Sequence, residues 1–81
     1  MFAFERDGKA DAATRELRRL LEERPGDAVV QNALGYTLAD RDRQLEEAAA
    51  LVGAAFVQMP DSAAVLDSMG WVAFRQGRLK E

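Results

Sequence analysis

The chain has 81 residues, 48% of them hydrophobic and 31% charged, with a net charge of −3. That is enough apolar surface to offset chain entropy, and it lacks the positive excess that marks a nucleic-acid binder. Cysteine and histidine are both absent, which removes disulfides, zinc sites and histidine-based acid–base or triad chemistry from this chain. Ala, Leu, Glu and Arg dominate, Ile does not occur and Thr occurs only at Thr14 and Thr37, a bias that predicts an all-α fold. The longest apolar run, Ala48 to Val57, is too short to span a bilayer and is broken by Gly53, so this segment is expected to make no membrane contact. Glu5, Arg6 and Asp7 follow Met1 too closely for a signal peptide.

In chain order, Asp7-Gly8-Lys9 reads as a turn after a short partial helix. A helix is predicted over 9–24, with Ala13, Leu17, Leu20 and Leu21 as its apolar stripe. Arg15, Arg18, Arg19, Glu16, Glu22 and Glu23 read as its solvated face, laced with i,i+3 and i,i+4 pairs. Pro25-Gly26-Asp27 stops that helix and offers Asp27 as the cap of the next, over 27–41, with Val30, Leu34 and Leu38 facing inward. The polar stretch Asp40 to Gln44 is a turn. A third helix over 45–58 carries Leu45, Ala48, Val52, Ala55, Phe56 and Met59. Pro60-Asp61-Ser62 punctuates again, with Ser62 or Asp61 capping a fourth helix over 62–76. Val65, Met69 and Val72 or Ala73 form its stripe, and Gln76-Gly77-Arg78 reads as a closing turn.

These elements repeat. Pro25 and Pro60 lie 35 apart, as do Gly35 and Gly70, while Gly8 and Gly77 lie 69 apart, one step of 35 and one of 34. Ala28 to Tyr36 aligns with Ala63 to Trp71, pairing Leu34 with Met69, Tyr36 with Trp71 and Asn32 with Asp67. Small residues (Gly35, Gly70, Ala13, Ala48 and Ala55) stand where paired helices must approach closely. A helical glycine costs about 1 kcal/mol against alanine, and close backbone packing is the simplest compensation.

This pattern resembles the tetratricopeptide repeat, a helix-turn-helix unit of 34 residues with a W-x2-L-G-x2-Y…A-x3-F…P signature. The middle repeat matches it at Leu34, Gly35, Leu38, Ala48, Val52 and Pro60. The first matches at Phe4, Gly8, Ala13, Leu17, Leu20 and Pro25, and the third at Met69, Gly70, Ala73 and Gly77. Gln31 and Leu66 replace the leading Trp, and Leu38 and Ala73 the Tyr. The resemblance implies a solenoid divided as 1–25 (mainly a second helix), 26–60 (a full repeat) and 61–81 (mainly a first helix), a truncated piece of a longer array. A narrower likeness joins Asn32 to Arg41 and Leu66 to Arg75 with the last repeats of proteobacterial repeat lipoproteins that scaffold a carboxyl-terminal processing protease. It implies a periplasmic parent anchored to the outer membrane through an N-terminus missing here; without it, the cytoplasm is the expected location.

In this family the first helix of each repeat lines a concave groove. The likeness places Val29, Asn32, Tyr36, Ala39 and Asp40 there from one repeat, and Ala64, Asp67, Trp71, Phe74 and Arg75 from the next. The implied function is a scaffold or adaptor that binds a peptide or protein. Asn32, Tyr36, Asp40, Asp67, Trp71, Phe74 and Arg75 are its expected contacts, with aromatic rings as anchors. The same rings, at helical spacing, read equally as core. Tyr36 and Trp71 stand where carboxylate-clamping members keep asparagine, so no clamp for a free carboxylate is expected. The alternative is a structural segment that extends the array or joins two copies through exposed terminal helix faces. No catalytic residue, cofactor or metal site is expected. Asp40 and Asp42 alternate with Arg41 and Arg43 and lack further oxygen ligands for calcium, Glu22-Glu23 and Glu46-Glu47 diverge on their helices, and the hydroxyls have no activating base.

Overall fold

The computed structural model describes residues 2–41 and 44–80. Within them the chain forms four helices, α1 (Phe2–Glu23), α2 (Ala28–Asp40), α3 (Leu45–Gln58) and α4 (Ala63–Lys80), and no strand. Helix α3 packs along α2 and also against α4, and α2 touches both α1 and α4. Consecutive helices are therefore neighbours, and α2 and α4, one repeat apart, also meet directly.

The local signals set most boundaries. Asp27 has extended backbone, and its carboxylate accepts from the Val29 and Val30 N–H groups at 2.9 and 3.3 Å, capping α2. The Ser62 hydroxyl accepts from Val65 N–H at 3.3 Å and so takes the capping place at α4. Between α2 and α3 the chain turns at Arg41 and re-enters helix after Gln44, whose φ of 49° is left-handed. The expected turn of Asp40 to Gln44 thus stands, although Asp42 and Arg43 lie outside the described residues.

Both terminal turns are corrected. Helix α1 runs unbroken through Gly8, and α4 continues through Gly77 to Lys80. A glycine weakens a helix without breaking it, because it keeps the N–H donor that proline lacks. It becomes a turn only where a following helix folds back and packs.

The core is one cluster built from Leu34, Leu38, Ala39, Ala48, Val52, Ala55, Val65 and Val72, with Leu17, Leu21, Leu51, Phe56 and Trp71 packed around it. Gly35 is the closest approach. A Cβ there would lie 2.5 Å from Val52 Cγ2 and 3.0 Å from the Ala48 carbonyl oxygen. Close packing is therefore the reason for Gly35, but not for Gly70, where a Cβ would meet nothing within 4 Å. The stripe of α4 is corrected likewise. Val65, Ser68 and Val72 are buried, whereas Met69 and Ala73 are exposed. Only one side of α4 is covered, by α3 and α2.

Polar contacts fix the helices against one another. Gln31, at the position where the family keeps Trp, is buried; its amide donates to the Pro25 carbonyl at 2.9 Å and its oxygen accepts from Gln58 at 3.2 Å. Arg18 leaves the solvated face of α1 and forks onto Glu47 at 2.8 and 3.0 Å, with a third bond to Gln44. Arg41 bonds Asp11 at 2.7 Å, and Arg19 pairs within α1 with Glu16 and Glu23, as the spacing predicts.

Two predictions follow from this packing. Gly35→Ala should lower stability by about 1–3 kcal/mol, since the Val52 side chain must move and the Ala48 carbonyl must give way slightly. Gly70→Ala should raise it by up to about 1 kcal/mol through helix propensity alone. Thermal melts should move in opposite directions for the two equivalent positions. The hydrogen bonds from Arg18 hold the Glu47 carboxyl below its usual range, against a smaller opposing effect of burial. A depressed carboxyl stabilises the fold above its unfolded pKa and loses that contribution as pH falls through the folded value. Arg18→Met should therefore cost about 0.5–1 kcal/mol near neutral pH, the pair being more than a third exposed. That difference from the parent chain should fade below about pH 4 in acid titrations followed by circular dichroism.

Candidate functional site

The aromatic residues come together where α2 meets α4. Tyr36 on α2 and Trp71 on α4 occupy the same position in successive repeats, 35 apart. Their rings stack with centroids 6.2 Å apart and planes 25° from parallel. One turn along α4, Phe74 continues the stack at 5.9 Å and 23° from Trp71. Offset stacking at these distances is favourable beyond the area it buries. The ladder is not submerged: Tyr36 is 45% exposed and Phe74 55% exposed. Trp71 is half-buried and packs its other side on the core. Both readings of the rings thus apply, with the middle ring anchoring the ladder and the outer two facing solvent.

Two polar atoms beside the ladder lack a hydrogen-bond partner within the protein. They are the indole Nε1 of Trp71, a donor, and Oδ1 of Asn32, an acceptor. Asn32 lies one turn before Tyr36 on α2, on the same face. Buried polar atoms usually find a partner, and one left without it costs about 1–3 kcal/mol. Both atoms are buried, so neither is open to solvent at the aromatic surface.

Arg75 has a different setting from its neighbours. Its guanidinium lies over the Trp71 ring, 4.9 Å from the centroid. Its Nε donates to the Ala39 carbonyl at 3.2 Å and one terminal nitrogen to the Asp40 carbonyl at 2.9 Å. These carbonyls end α2, where the Arg41 N–H also reaches the Ala39 carbonyl, so Arg75 ties the end of that helix to the next repeat. Arg75 thus lies at the ladder while donating to the backbone of α2.

Asp40 and Asp67 are exposed, as are Val29 and Ala64. Ala39 is corrected: it is wholly buried beneath Arg75 and contributes to the core. The structure thus brings Tyr36, Trp71, Phe74 and Arg75 into contact and sets Asn32 beside them. The pairing of Arg75 with the end of α2 had no sequence signal, because it joins residues 35 and 36 apart through backbone oxygens.

Comparison with known proteins adds ancestry. Over 67 residues, 83% of its length, the chain is 46% identical to a TPR repeat-containing protein of Pseudomonas aeruginosa. The matched segment is 11% of that protein's length. No family model matches the chain, and no solved structure does.

Arg75→Ala removes two bonds from a charged donor and the cation over Trp71. It should lower stability by about 1–2 kcal/mol, or several degrees in the melting midpoint. It should also change the emission of Trp71, the single tryptophan in the chain. Arg75→Lys should restore little, because an ammonium cannot bridge two carbonyls while stacked on a ring.

Proposed function

We propose, from the premise that this chain belongs to the tetratricopeptide-repeat family, that its part in the parent protein is to hold a protein or peptide partner on the α2–α4 surface. The observation that carries the reading is the half-exposed ladder of Tyr36, Trp71 and Phe74. The apolar side chains of an extended peptide cover rings of this kind. The exposed Asp40 and Asp67 fix its register. Tyr36 and Phe74 supply most of the contact area, as aromatic anchors commonly do.

No chemistry in this reading needs a catalyst, cofactor or metal. Arg75 at the ladder is engaged with α2 carbonyls and the Trp71 ring, so no clamp for a free carboxylate is expected there. Following the narrower likeness of Asn32 to Arg41 and Leu66 to Arg75, we place the parent in the periplasm, anchored to the outer membrane by a lipidated N-terminus. A lipoprotein signal at the start of the parent checks that placement.

The binding reading is tested with a random-peptide phage library panned on the 81-residue chain, the selected peptides then being titrated against Trp71 emission. Saturable changes are expected, weakened at least about tenfold by Tyr36→Ala while helicity is retained. Amidating a peptide's C-terminus should alter its affinity by less than about twofold, since no charge-assisted bond is lost. Binders that ignore both Tyr36→Ala and Trp71→Ala would overturn the assignment.

A further inference from the structure

The uncommitted charge beside the ring ladder is acidic. Helix α2 has one charged residue, Asp40, and α4 as far as Phe74 has one, Asp67. Asp40 lies one turn after Tyr36 and Asp67 one turn before Trp71, each on the face that carries its ring. Both are exposed, and neither carboxylate has an ion-pair partner among the described residues. The cations next to them are already engaged. Arg75 donates to the Ala39 and Asp40 carbonyls and lies over Trp71, and Arg41 pairs with Asp11.

Tyr36 meets Trp71, and the Ala39 and Asp40 carbonyls meet Arg75, so α2 and α4 run in the same direction. Asp67 therefore stands at one end of the Tyr36–Trp71 pair, on α4, and Asp40 at the other end, on α2. Two helical turns, about 11 Å, separate them along the surface, and one helix spacing, about 9 Å, separates them across it. The diagonal of about 14 Å is the length of roughly four residues of extended chain. Rings set between two carboxylates favour a cation at each end. Between those ends they favour apolar side chains or the stems of Lys and Arg.

We infer that the segment held on this surface is basic and apolar, an extended stretch with Lys or Arg about four residues apart and apolar side chains between them. The inference rests on the reading of the ring ladder as a binding surface, and adds the charge of what binds there. Each cation lies against one carboxylate, while the apolar residues cover the exposed parts of Tyr36 and Phe74. An acidic segment meets two unpaired carboxylates and is repelled, so the same pair gives specificity as well as attraction. The net charge of −3 steers encounter in the same sense.

The test uses acetylated, amidated decapeptides that share alternate Leu residues and carry Lys, Gln or Glu at two positions about four apart. Each is titrated against Trp71 emission in the 81-residue chain. The Lys peptide should bind at least about fivefold tighter than the Gln peptide, and the Glu peptide most weakly. Asp40→Asn combined with Asp67→Asn should bring the Lys peptide down to the affinity of the Gln peptide. Glu22→Gln combined with Glu46→Gln removes the same charge from exposed sites on α1 and α3, and should change the Lys affinity less than about twofold. Raising the salt from about 50 mM to about 500 mM should erase the preference. Gln or Glu peptides that bind as tightly as Lys overturn the inference. If Tyr36→Ala then still weakens all three, the ring surface stands and only its charge preference falls. A Lys preference that survives the double aspartate substitution, or that the double glutamate substitution removes equally, overturns it too, because the attraction is then not to Asp40 and Asp67. Failure of all three peptides to bind overturns both the inference and the reading of the surface.

Discussion

The backbones of α2 and α3 approach at Gly35 until there is no room for a methyl group, with Val52 on one side and the Ala48 carbonyl on the other. The remaining core depends on that approach. It lets Leu34 and Leu38 lie fully against Ala48, Val52 and Ala55, a cluster in which almost no apolar area is left to water. Helix α4 then joins by one face, through Val65 and Val72. A small solenoid has no deep interior, so a single tight helix pair must supply most of the burial that its neighbours build on.

Polar contacts set the register that burial alone would leave loose. Asp27 and Ser62 cap the helices after the two prolines, and Gln31 joins the Pro25 turn to Gln58 at the end of α3. Gln44 turns the chain in a left-handed conformation that costs a non-glycine residue energy, and its side chain is held by Arg18, which also forks onto Glu47. Arg75 reaches back from α4 to the last carbonyls of α2. Because helical repeats can slide along one another at little hydrophobic cost, such directional bonds help select one alignment.

That alignment brings the rings into contact. Tyr36 and Trp71 stack because the same position in two successive repeats faces the same way, and the Arg75 guanidinium lies over the middle ring. The surface is therefore ordered before any partner arrives, which lowers the entropic cost of binding. The same periodicity gives α4 the stripe of Leu66, Met69, Gly70 and Ala73, whose counterparts on α2 are buried.

The sequence by itself determined the helical class, the step of 35 residues, the cap at Asp27, a cap at Asp61 or Ser62, and the alignment of Tyr36 with Trp71. Each rests on local propensity or on periodic spacing, which neighbouring residues fix among themselves. It also marked Gly8 and Gly77 as turns and gave Gly35 and Gly70 one shared reason, and there local signals misled. A glycine is equally at home in a turn, in a tight helix crossing and in a helix with open space beside it; what packs against it decides which. Only the tertiary structure separated the crowded Gly35 from the open Gly70, left Met69 and Ala73 exposed, buried Ala39 and turned Arg75 onto the end of α2. Those outcomes depend on which helices are present to cover a face, a long-range fact that no local spacing encodes.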